Sequence, residues 1–258
     1  MIEPLIAAWK AKHPSVSGHQ GRYAMRDIVN ALRYQNRTGC QWELLPHDLP
    51  PTGAVRYYFD VWKRDGLDKR INDVLRMMVR EKVGRSADPS LVVLDSQSVR
   101  TAAGVPKSTT GLDAAKRTPG RRRGLAVDVI GLIIAVVVVA ASVHDNAIGV
   151  ALLNNVSAST RTVRTALVDQ GFKAGVVDHG RSLGIDAQIV ARNPAATGFV
   201  PEPIRWRVEQ TNGLKMLERR LACEYEHAPS CSESRIYRAS AGRILRQLAG
   251  TPARWREA

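Results

Sequence analysis

Three acidic residues, Asp95, Asp169 and Glu209, lie 74 and 40 residues apart in the sequence. Asp95 ends the run Leu91-Val-Val-Leu94, and such a short apolar run with β-branched residues reads as a buried strand. Asp169 ends a second run of this kind, Ala166-Leu-Val168, and Glu209 lies in the helical stretch Arg205-Trp-Arg-Val-Glu-Gln210. Burying a carboxylate at a strand end is costly unless a metal or a cation compensates it. Taken alone, Asp95 reads more readily as the cap of the following turn. Taken together, three carboxylates at one sheet edge suit phosphodiester chemistry on two Mg²⁺ ions about 3.5–4 Å apart. Magnesium takes few protein ligands and keeps its waters, so three acids suffice. Asp145 beside His144, mid-strand Asp128, and Asp178 beside His179 compete for the second position. The requirement that ligands cluster at one edge favours Asp169.

The elements that must position these acids follow from periodicity. The spacing predicts helices over 25–37, from about 51 through Trp62, and over 67–83, while residues 1–20 lack a pattern. Gly39 is the expected C-cap of the first helix. This small bundle resembles a helix-turn-helix reader of DNA, though plain packing would serve as well. A linker at 84–89 separates it from strands expected at 91–94, 125–130, 132–143, 164–169 and 185–190. Helices are expected at 147–156, 172–183, 208–221 and 232–248. The fold class is therefore α/β, divided into residues 1–85 and 86–258.

The segment 101–124 reads as a loop with few apolar residues and many cations. Lys107, Lys116, Arg117, Arg121, Arg122 and Arg123 beside an acidic centre suggest a clamp on a phosphate backbone. Trp206 reads as core rather than as a base-stacking wedge. Across the chain, Lys and Arg total 38 against 24 Asp and Glu, a net charge of +14 that points to a polyanionic partner. Three cysteines, at spacings matching no zinc or redox motif, read as reduced thiols. The longest apolar run, 132–141, is about half of what a membrane helix needs, and no signal peptide is apparent, so a soluble intracellular protein is expected.

Several motifs carry a family resemblance. They are Arg37-Thr-Gly-Cys-Gln-Trp-Glu-Leu-Leu-Pro46, Tyr58-Phe-Asp-Val-Trp-Lys-Arg-Asp-Gly66, Asp95-Ser-Gln-Ser-Val99, Gly120-Arg-Arg-Arg123, Val168-Asp-Gln-Gly-Phe172 and Arg205-Trp-Arg-Val-Glu-Gln-Thr211. Over about residues 20–250 the chain resembles the RNase-H-like DDE transposases of small bacterial insertion sequences, near their "four/five" supergroup. The resemblance implies an RNase-H-like mixed sheet flanked by helices, with a small N-terminal all-helical domain. It implies Asp95, Asp169 and Glu209 as ligands of two Mg²⁺ or Mn²⁺ ions. Arg205 and Lys215 would join Lys107, Lys116, Arg117 and Arg121 to Arg123 as DNA contacts. The partners implied are the terminal inverted repeats and target DNA, bound by a homodimer or larger assembly, in the bacterial cytoplasm at the nucleoid. Three positions depart from the pattern: Glu202 where an aromatic is expected, Phe172 where Tyr is usual, and Lys215 slightly early. The rival functions are a basic DNA-binding protein without catalysis and a simple metal-dependent nuclease on the same fold.

Overall fold

The computed structural model describes residues 1–14, 22–190 and 206–250. Four N-terminal helices, α1 (Glu3–Ala11), α2 (Met25–Thr38), α3 (Thr52–Arg64) and α4 (Leu67–Lys82), surround one apolar core. Ile28, Leu32, Val55, Phe59, Trp62, Leu67, Ile71 and Leu75 meet there, at spacings of three and four residues along each helix. Helix α2 ends as expected on Gly39, in the left-handed region at φ 75°, whose N–H donates to Gln35 O at 2.8 Å. Helix α1 was not anticipated. Pro4 in its first turn favours the start, and Ile6 and Trp9, three residues apart, bury its inner face.

The second half is a mixed sheet of β1 (Leu91–Arg100), β2 (Gly111–Asp113), β3 (Thr118–Asp128), β4 (Ile133–Ala140), β5 (Thr165–Val168) and β6 (Asp186–Ile189). Antiparallel pairing joins β4 to β3 and β3 to β1. Parallel pairing then joins β1 to β5 and β5 to β6, and β2 pairs with the start of β3. Helices α5 (Asp145–Ser159) and α6 (Ala174–Ser182) cover one face, packing Ile148, Leu152 and Val176 on Val92, Leu94 and Ala166. The other face meets α7 (Trp206–Lys215) and α8 (Pro229–Leu248), with Val208, Ile236 and Tyr237 on Val93, Leu125 and Val127. This is the RNase-H-like arrangement: an antiparallel half and a parallel half in one sheet, with helices on both faces. Helix α8 has a double role. Its Ile236, Tyr237 and Ala239 belong to the sheet core, whereas Ala241 and Ile244 belong to the N-terminal core.

Other elements differ from expectation as well: β1 runs on to Arg100 and β2 was not anticipated. Strand β3 begins at Thr118 rather than at 125, so the three arginines lie in mid-sheet and not in a loop. Helix α7 stops at Lys215 and gives way to a 3₁₀ turn, Arg219–Leu221. The β3–β4 turn closes through Asp128, whose Oδ1 accepts the N–H groups of Ile130 (3.0 Å) and Leu132 (2.9 Å). Its other oxygen pairs with Arg80 of α4, a buried link between bundle and sheet.

Candidate catalytic site

Strand register decides which acids meet. In the parallel pair β1/β5, Leu91, Val92 and Val93 oppose Thr165, Ala166 and Leu167. Continued two residues beyond this paired stretch, the same register would bring Asp95, which lies within β1, opposite Asp169, which directly follows β5; neighbouring strands lie about 4.8 Å apart. Alternation puts Asp95 on the face of Leu91 and Val93, the face covered by α7 and α8. Asp169 directly follows β5 and closes a turn by accepting the N–H of Gly171 at 2.9 Å.

Helix α7 is anchored over that edge. Thr211 donates to Gly131 O at 3.0 Å, Val208 is buried, and Asn212 Nδ2 donates to Asp95 Oδ2 at 2.6 Å. Glu209 stands one turn before Asn212 and is exposed. Residues three apart on a helix have Cβ atoms about 5–6 Å apart, so the Asn212–Asp95 contact draws Glu209 toward the same edge. Among the described residues, no three His, Cys, Asp or Glu side chains converge closely enough to hold a metal ion. The donor set still fits a hard cation. It consists of carboxylate oxygens, and the buried Asn212 Oδ1 beside them has no hydrogen-bond partner.

Lys215, one turn beyond Asn212, is buried, and its ammonium lacks a hydrogen-bond partner. Burial, with the charge of Arg123, pulls its pKa down to about 7, while Asp95 and Glu224 pull upward. The DNA contact expected of Lys215 is not met, because the side chain lies inside. Asp145, the rival second acid, occupies the same sheet edge. Its Oδ1 accepts Ser96 Oγ (2.8 Å) and Arg122 Nη1 (2.9 Å). A Cβ placed on Gly171 would lie 3.0 Å from Asp169 Oδ1 and 3.1 Å from Asp145 Oδ2, so the two carboxylates approach the same point. The remaining rivals are structural. Asp128 is buried against Arg80, His144 caps α5 through Asn146 N, and Asp178 and His179 pair with Arg181 and Asn154.

The expected phosphate clamp must be corrected at three positions. Arg121, Arg122 and Arg123 are 0%, 8% and 1% exposed and are fully engaged within the fold. Arg121 pairs with Glu224 at 3.2 Å and donates to Glu226 O and His227 O, both at 2.7 Å. Arg122 pairs with Asp113 and Asp145, and Arg123 with Glu224 and Leu221 O. A run of arginines inside a sheet demands such partners, since an unpaired buried charge is very costly. Glu224, Asp113 and Asn212 escaped the sequence reading. The acids of Glu224-Tyr-Glu226, downstream of an arginine run, were the available signal for the first. Lys107, Lys116 and Arg117 do lie exposed, and Arg205 falls outside the described residues. Trp206 is half-buried beneath the Arg207 guanidinium, 4.7 Å from its ring centre.

Residues 1–72 match a family described as a putative transposase of the IS4/5 family, and residues 86–228 match the transposase DDE domain. No curated protein matches the chain. One similar solved structure is the Mos1 mariner paired end complex with Mn, at 12% identity, 96% coverage of this chain and 77% of that one. Its TM-score of 0.31 is too low to bear on the fold. The match to residues 86–228 spans more than half of the sequence, and the chain belongs to the transposase DDE-domain family.

Proposed function

We propose that this chain cuts DNA at the ends of an insertion sequence and joins the freed 3′-hydroxyl to target DNA, using Mg²⁺ or Mn²⁺ held by Asp95, Asp169 and Glu209. The observation that carries this reading is the parallel register of β1 and β5, whose continuation would bring Asp95 opposite Asp169, together with the hydrogen bond from Asn212 of α7 to Asp95. Two bound ions would lower the pKa of the attacking water or hydroxyl and stabilise the leaving oxygen. The chain's own groups orient these ligands. Asn212 fixes one Asp95 oxygen, the Gly171 N–H fixes one Asp169 oxygen, and Arg122 with Ser96 holds Asp145 to one side. The buried Lys215 offsets acidic charge from beneath.

Residues 1–85 are read as the part that recognises the DNA end, with the exposed Arg26 and Arg56 on α2 and α3 available to phosphates. The net charge of +14 supports a DNA partner. Joining two element ends requires two sites, hence a homodimer or larger assembly on DNA in the bacterial cytoplasm. Among the described residues no helix is long and apolar enough to cross a membrane.

Asp95→Asn, Asp169→Asn and Glu209→Gln are each expected to lower strand cleavage by roughly 100-fold or more while leaving duplex affinity within a few-fold. Cleavage that persists in Asp95→Asn overturns the site. An end-labelled substrate that is cut but never joined to a second duplex identifies a plain nuclease. Binding without any cleavage by the unaltered protein identifies a non-catalytic DNA-binding relative.

A further inference from the structure

We propose that the β2–β3 hairpin is a DNA-distorting contact in which Leu112 enters the base stack of bound duplex while Arg100, Lys107, Lys116 and Arg117 hold the flanking phosphates. It rests on the reading that the chain works on duplex DNA.

Between Asp95 and Asp128 the sequence carries seven cations and a single acid, Asp113. Arg121, Arg122 and Arg123 are buried in ion pairs, which leaves Arg100, Lys107, Lys116 and Arg117, all exposed. Asp113 is buried too. It accepts from Ser98 Oγ and Arg122 on one oxygen, and from the N–H groups of Ala115 and Lys116, both at 3.1 Å, on the other. The hairpin surface is therefore purely cationic.

In its midst Leu112 is 55% exposed. It cannot turn inward, because both neighbours on β2 are fixed. A Cβ on Gly111 would lie 2.3 Å from Ser142 Oγ, and Asp113 is held as described. The turn is set as well: Arg117 adopts φ +48°, a left-handed conformation that a non-glycine residue keeps only when its surroundings enforce it. An apolar side chain on an edge strand is a liability unless a partner covers it. A second copy of this chain would bring a like cationic field against the hairpin, whereas duplex DNA complements it. Leu among cations is the composition of a wedge that unstacks base steps from the minor groove.

Register adds a spacing. Leu112 pairs with Pro119 and Asp95 with Leu125, so both side chains lie on the same face of the sheet. Six residues of β3 separate those partners, about 20 Å at 3.3 Å per residue. That length corresponds to about six base steps of DNA at 3.4 Å each. The distortion is expected about that far from the bond next to Asp95.

The test uses the full chain and 40-base-pair duplexes from the DNA flanking its coding region, each with one 2-aminopurine at a successive position. Binding of the unaltered protein is expected to brighten one or two adjacent positions. Leu112→Ala is expected to abolish the brightening while weakening affinity by tenfold or less, and Leu112→Phe to retain it. Lys116→Ala is expected to weaken all duplexes alike and reduce the salt slope by about one. Binding without a bright position, or brightening that survives Leu112→Ala, overturns the wedge and leaves the DNA-binding reading standing. No binding to any duplex overturns both. Leu112→Ala that converts a DNA-free dimer to monomer also overturns the proposal, by assigning the residue to a contact between copies.

Discussion

Glu224→Gln separates an arginine run that holds the fold from one that grips DNA. The Glu224 carboxylate is buried, with Arg121 at 3.2 Å on one oxygen and Arg123 on the other, and Ser232 Oγ donating to it as well. Glutamine has nearly the same shape and keeps one acceptor oxygen, but it removes the only charge shared by both guanidinium groups. The acceptors left to Arg121 are Thr109 and the carbonyls of Glu226 and His227; Arg123 keeps Leu221 O. Breaking a buried pair by removing one partner costs about 3–5 kcal/mol, and the retained oxygen argues for the lower end, about 3 kcal/mol. A domain has only about 5–15 kcal/mol in total, so the change is large. Urea unfolding followed by tryptophan fluorescence reads it as a fall in midpoint at unchanged slope. A loss below about 1 kcal/mol refutes the reasoning. So does a variant of normal stability with much weakened duplex affinity, since that result would return the arginines to the phosphates.

Asn212→Ala is expected to lower strand cleavage about 10–100-fold, as loss of a group that orients a metal ligand does, and to weaken Mn²⁺ binding measured by calorimetry. Unchanged Mn²⁺ affinity would remove Asn212 from that role. Asp113→Asn tests an acid dependence. Burial alone would raise the Asp113 pKa, but hydrogen bonds from Ser98, Arg122 and Lys116 N–H, with the Arg122 charge, hold it well below 3.8. Its depressed native value means that its stabilisation is present above about pH 4 and is lost as pH falls toward that value. The stability gap between unaltered protein and Asp113→Asn should therefore close on acidification, and a gap constant from pH 7 to pH 2 contradicts this.

Periodicity made the sheet strands and most helices legible, because an apolar run is written into adjacent residues. Residues 91–94 and 132–141 need no tertiary information to read as buried strands. The arginines misled for the same reason. A local window sees six cations and few apolar residues in 101–124, whereas Glu224, about a hundred residues downstream, decides that Arg121 and Arg123 are interior. Lys215 misled likewise, since its burial depends on how α7 meets β1. Asp95 and Asp169 stand out in the sequence because each ends an apolar run. The hydrogen bond that ties α7 to the first of them spans residues 95 and 212, and nothing local announces it.

The shared helix α8 has a consequence for biosynthesis. Residues 229–248 leave the ribosome after every other described element, yet they wall off both apolar interiors. At about 5–20 residues per second, the four-helix bundle waits roughly ten to thirty seconds for the helix that completes it. Until this helix has emerged, the apolar surfaces of both interiors stay uncovered on the nascent chain and are open to chaperones.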